Sequence, residues 1–202
     1  KGCANSLNNN QSEFDRDYNE LKAYIENIKK FKNNKVFVYF STYSISDPSR
    51  NNNLYVRHKL KLESFITNEY NNYIILRIPE VITTPIENNN VLNFLYFNLK
   101  NQKKFDLWVG QLRNFIKLEN IFEITKKLLS EYTTPIHTYF INDNYISIEE
   151  IYDTLKESLN IKNELANKLY FKKNEFNMSD IPIITTTINK NEIKKTIKKL
   201  YK

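Results

Sequence analysis

Glycine is almost missing from this chain: Gly2 and Gly110 are its two examples in 202 residues, where about 7% is usual. A loop that wraps phosphate in bare backbone needs residues without Cβ. These 202 residues therefore contain neither a GxGxxG nor a GxxxxGK[ST] segment. Cysteine is scarcer still. Cys3 alone cannot close an internal disulfide, so nothing points to an oxidising compartment. No run approaches the roughly 18 apolar residues of a membrane span, and the polar start is unlike a signal peptide. The expected location is cytoplasmic, with no membrane partner. His58, His137 and Cys3 fall in no ligand spacing, so no metal is expected.

What is present is an ordinary globular balance, 41% apolar and 26% charged, enough for a buried core rather than disorder. The net charge of +7 suggests nucleic acid until it is located. Residues 189–202 carry six lysines and one glutamate, leaving the body at +2, too little for a phosphate-binding face. No nucleic-acid partner is expected. The tail reads as an amphipathic helix with Ile193, Ile197 and Leu200 on one side and lysines on the solvated other. Asn, Lys and Ile make up 80 residues, all with A/T-rich codons, and the Asn runs at 8–10, 51–53 and 88–90 read as loops.

Periodicity gives an alternation of helices and strands. Phe14, Tyr18, Leu21, Ile25, Ile28 and Phe31 recur at helical spacing over 12–31, with Ser12 as the cap. The unbroken run KVFVYFS at 35–41 reads as a strand covered on both faces, hence part of a parallel sheet. A second helix spans about 54–69, with Leu54, Tyr55, Leu62, Phe65 and Ile66 facing inward and His58 on the solvent side. Further buried strands follow at 73–78 and 135–141, the first ended by Pro79. Helices are expected near 91–99 and 119–130, and Ser147 and Glu150 form a capping box for another. Such alternation predicts an α/β fold.

The chemistry-bearing pattern is Tyr55-Val-Arg-His-Lys59, four residues apart on one helical face. An ammonium beside a phenol favours phenolate, so Tyr55 becomes a general acid/base for a hydroxyl. A hydroxyl at the end of the preceding strand, from Thr42 or Ser41, would hold the substrate oxygen where parallel strands place such sites. The spacing alone also arises by chance in a chain with 14 tyrosines and 25 lysines. It is the strand ahead of it and the strand after it that strengthen the reading. Trp108 fits either a sugar site or the core, the core being favoured.

These residues resemble the extended short-chain dehydrogenase/reductases, the NAD-dependent epimerases and dehydratases of nucleotide sugars. The likeness covers most of residues 1–160. The run 36–42 is similar to that family's strand ending in Ser-Ser/Thr, which implies a catalytic role for Thr42, with Ser41 against the substrate. Tyr55 and Lys59 match its catalytic pair, which also holds the cofactor ribose. Residues 17–21 resemble the helix whose asparagine supports the proton relay, here Asn19. Residues 73–81 look like the strand and loop along the nicotinamide, bringing in Pro79 and Val81. Residues 111–116 resemble the "R-D-F-I" segment, whose arginine reaches the sugar diphosphate, here Arg113. The opening residues, with Asn5 and Ser6, are similar to the loop beside nicotinamide and sugar.

The resemblance implies a partial Rossmann-type parallel sheet, its C-terminal half, with a small C-terminal α/β substrate lobe. On that basis residues 1–85 form the dinucleotide-binding half, 86–188 the lobe interleaved with the last strands, and 189–202 a basic helix. It implies NAD or NADP as cofactor, a nucleotide-diphosphate sugar as substrate, and a possible homodimer. Tyr43-Ser44 stands where a dehydratase carries Asp-Glu, which favours an epimerase or reductase. The absent glycine loop leads us to expect a truncated chain that binds dinucleotide weakly or not at all. The alternative is a non-catalytic remnant or subunit of the same fold.

Overall fold

A computed structural model describes residues 10–31, 35–85, 90–131, 138–141, 145–173, 175–177, 181–185 and 189–202. They divide into two units. The first takes 1–78, 124–141 and 176–184, and the second takes 79–123, 142–175 and 185–202. The boundary thus falls at residue 78 rather than 85, and the chain re-enters the first unit twice.

In the first unit, α1 (Gln11–Lys29) starts from Asn10, not Ser12: the Asn10 side chain accepts from the Ser12 N–H and hydroxyl at 3.1 and 2.7 Å. An N-terminal amide two residues into the helix is the donor a cap must satisfy. β1 (Phe37–Thr42) leads to short 3-10 turns at Tyr43–Ser46 and Pro48–Arg50, and then to α2 (Leu54–Glu69). The Asn53 side chain caps α2 by accepting from the Val56 N–H at 3.2 Å. β2 (Tyr73–Ile78) lies parallel to β1 in the register Ser41 to Arg77 and Thr42 to Ile78. With β6 (Thr138–Ile141) and β9 (Ile183–Ile184) these strands form an all-parallel sheet in the order β1-β2-β6-β9.

Position in that order explains where the expectation of two covered faces holds. β2 is interior, and Ile74, Ile75 and Leu76 are at most 1% exposed, each buried side chain contributing about 1.5–3 kcal/mol. β1 ends the order among the described residues; Phe37, Val38 and Tyr39 are half-buried and Phe40 is exposed. Leu54 is likewise exposed instead of facing inward, and Val56 takes its place.

In the second unit, β3 (Glu80–Ile82) runs parallel to β5 (Leu112–Lys117), which pairs antiparallel with β7 (Tyr145–Ser147). β4 (Phe105–Val109) pairs parallel with β8 (Ala166–Tyr170). Three helices, α3 (Val91–Lys100), α5 (Ile148–Ser158) and α6 (Lys190–Leu200), build one core from residues such as Leu92, Leu99, Ile151, Ile193, Ile197 and Tyr201. The tail is therefore no separate appendage: Ile193, Ile197 and Tyr201 are wholly buried. Its lysines stay on the solvent-accessible side, where Lys190 and Lys194 pair with Glu150, and Lys198 with Glu157. Ser147 and Glu150 do form the capping box. The remaining helix, α4 (Leu118–Ser130), carries the chain from the second unit back to the first.

Candidate active site

β1 ends in two hydroxyls that face different tasks. The Thr42 oxygen accepts from the Ser44 N–H at 3.2 Å and so caps the turn that follows. Ile45 of that turn packs against Tyr55, Val56 and Phe14. Alternation along the strand sends Ser41 the other way. Its hydroxyl donates to Glu63 Oε1 at 2.5 Å, so the hydrogen offered to a substrate in the sequence reading is committed to a carboxylate.

Tyr55 and Lys59 both sit on the inward face of α2, each 6% exposed. The Lys59 ammonium stands 5.8 Å from the Tyr55 ring centroid. It donates to Tyr39 Oη at 3.1 Å. The i, i+4 spacing thus places phenol and ammonium together, and β1 contributes a second phenol. One turn further, Glu63 is held by Arg77 of β2 through Nη2 at 2.6 Å and Nε at 3.1 Å. The guanidinium carbon also lies 5.0 Å over the Phe140 ring. Ser41, Glu63 and Arg77 therefore clamp the carboxyl ends of β1 and β2 to the helix that carries Tyr55.

α1, which carries the expected relay residue Asn19, meets α2 through Asp17. Asn19 is exposed on α1. Asp17, two residues earlier and buried, binds His58 Nε2 at 2.9 Å, and Phe14 stacks on the same imidazole at 4.6 Å. A helix turns about 100° per residue, so two positions separate opposite sides. His58 accordingly leaves the solvent side and becomes a buried, paired group. Asp47, in the loop between strand and helix, is buried with its carboxylate 3.6 Å from Arg50.

The other expected residues belong to the second unit or lie outside the described residues. Pro79 is buried just before β3, and Val81 is half-buried within it. Arg113, half-buried in β5, donates from Nη1 to the Leu112 carbonyl at 2.8 Å. Trp108 is 48% exposed, which removes it from the core. Asn5, Ser6, Cys3 and His137 lie outside the described residues. Among the described residues no group of three His, Cys, Asp or Glu side chains is arranged for a metal.

Tyr39, Glu63, Arg77 and Asp17 are the participants that sequence reasoning missed. Arg77 did carry a signal, since a cation inside an apolar strand run needs a buried anion. Glu63, at i+4 from Lys59 on the inward face of α2, was the matching one.

No protein-family profile and no curated protein matches the sequence. Solved structures do match in shape. A dTDP-glucose 4,6-dehydratase from Bacillus anthracis, in complex with NAD, aligns with 94% of this chain and 68% of its own at 12% identity and TM-score 0.74. A UDP-glucose 4-epimerase from Thermotoga maritima, with UDP-glucose, aligns with 100% and 74% at 14% identity and TM-score 0.67. A dTDP-4-dehydrorhamnose reductase from Yersinia enterocolitica aligns with 81% and 65% at 16% identity and TM-score 0.55. The chain thus spans roughly two thirds to three quarters of their length, and its fold is the Rossmann-like α/β fold of the epimerase/dehydratase structures.

Proposed function

We propose that this chain is the catalytic-pair portion of an NAD(P)-dependent oxidoreductase of the epimerase or reductase type, acting on a nucleotide-diphosphate sugar in the cytoplasm. The observation that carries the reading is the buried Tyr55–Lys59 pair on the helix that follows a parallel strand ending in Thr42. Tyr55 takes the proton of a sugar hydroxyl, Lys59 lowers the phenol's affinity for protons and reaches a cofactor ribose, and Thr42 orients the substrate oxygen. Nicotinamide, when bound, supplies the hydride acceptor. Lys59 and Tyr55 fit the nicotinamide end of such a cofactor. A glycine-rich cradle for its pyrophosphate is not found in the 202 residues, so that part of the grip has to come from elsewhere. Pro79 and Val81 would lie along the nicotinamide, and Arg113 would meet the sugar diphosphate.

The Tyr43-Ser44 pair after Thr42 offers no carboxylates for elimination of water, which favours epimerisation or keto reduction. In a form that also carries a dinucleotide cradle, Tyr55→Phe is expected to lower turnover about 100- to 10,000-fold with cofactor binding nearly intact. Unchanged turnover overturns the assignment. The missing cradle also supports a second reading, a non-catalytic subunit of the same fold. That reading requires the form with a cradle to bind nucleotide-diphosphate sugar without turning it over.

A further inference from the structure

The Lys59 ammonium has a phenol on either side, one from the sheet and one from the helix. Its Nζ donates to Tyr39 Oη at 3.1 Å and lies 5.3 Å from the Tyr39 ring centroid and 5.8 Å from that of Tyr55. Tyr39 stands in mid-strand on β1, two residues before Ser41 and on the same face. Around this trio the charged groups are matched to one another: Glu63 of α2 with Arg77 of β2, and His58 of α2 with Asp17 of α1. We propose that Tyr39 is a positioning residue that holds the Lys59 ammonium, so that two phenols share one cation and Tyr39 sets how much of its field reaches Tyr55.

The physical basis is the three N–H donors of an ammonium and the phenolate each favours. The hydrogen bond to Tyr39 Oη fixes where the ammonium stands relative to Tyr55. Removing the Tyr39 oxygen while keeping its ring leaves the packing and frees the ammonium to move toward Tyr55. The proposal rests on the reading of Tyr55 as the acid/base, yet its test needs no turnover.

The whole chain, labelled with 13C at tyrosine Cζ, reports each phenol's ionisation, with signals assigned by their loss in Tyr39→Phe and Tyr55→Phe. In Tyr39→Phe the Tyr55 midpoint is expected to fall by about half a pH unit or more. In Lys59→Met both the Tyr39 and Tyr55 midpoints are expected to rise, which keeps the test alive if Tyr39→Phe does not fold. A Tyr55 midpoint unmoved in folded Tyr39→Phe, or a Tyr39 midpoint unmoved in Lys59→Met, overturns the positioning role. Unmoved midpoints combined with lost turnover in Tyr55→Phe sink this role and spare the acid/base reading. Shifted midpoints with turnover retained do the reverse.

Discussion

Three donors converge on the Glu63 carboxylate: the Ser41 hydroxyl and both Nε and Nη2 of Arg77. The ion pair is buried, its side chains 7% and 11% exposed, so water cannot replace a partner that is removed. Glu63→Gln keeps the shape but leaves a guanidinium without its counter-charge. The expected loss is about 3–5 kcal/mol of unfolding free energy by urea titration. The joint change Glu63→Leu with Arg77→Met should be close to neutral, because it removes both desolvated charges together. A loss of only a few tenths of a kcal/mol in the single variant would mean that the clamp is not what holds the helix. Gly110 shows the opposite kind of constraint. Its φ is +91°, and a Cβ there would meet the Phe171 carbonyl oxygen at 2.4 Å, so the local geometry calls for a residue without one.

At the scale of elements, one carboxylate between α5 and α6 does two jobs. Glu150 accepts from the Ser147 N–H to complete the cap of α5, and it binds Lys190 and Lys194 of α6. Burial alone would raise its pKa, but hydrogen bonds from Lys190, Lys194 and the Ser147 backbone bring it down to about 2. A carboxylate with a depressed folded value stabilises the protein above its unfolded value of about 4.5 and loses that contribution as pH falls toward 2. The melting temperature of Glu150→Gln is therefore expected to lie below that of the parent at pH 7 and to converge with it near pH 2. Helices were the legible elements. Strong periodicity and side-chain caps gave α2, α3, α4, α5 and α6 nearly to the residue, and α1 with its cap two positions off. Strands β3, β5, β7, β8 and the two-residue β9 were not legible. β3 and β7 are three residues long, and four of the five residues of β8 are exposed, so no alternation marks it. The phenol–ammonium pair could be read because helical spacing is local. Tyr39 and Asp17 could not, because their roles depend on which elements pack together.

For the molecule as a whole, two units share one chain without any Pro-, Gly- or Ser-rich linker between them, and the first is assembled from three separated stretches. The boundaries expected at 85 and 188 came from the family resemblance, since no linker marks them in the sequence. Packing divides the chain by contact. The second unit's core closes only with the last helix, since Ile193, Ile197 and Tyr201 bury fully against it. Ending the chain at residue 188 is expected to open that core, seen as strong binding of a hydrophobic dye and early loss of near-UV circular dichroism. A truncated chain with native spectra would show the tail to be dispensable. The inward face of α2 has a consequence for how the first unit comes apart. The side chains of His58, Lys59 and Glu63 are held by α1, by β1, and by β1 together with β2. Sliding the helix by a single turn would break all these links at once and leave three ionisable groups stranded in the interior. The helix accordingly has one seat and no half-seated states, so its detachment should coincide with the parting of the sheet in a single sharp transition.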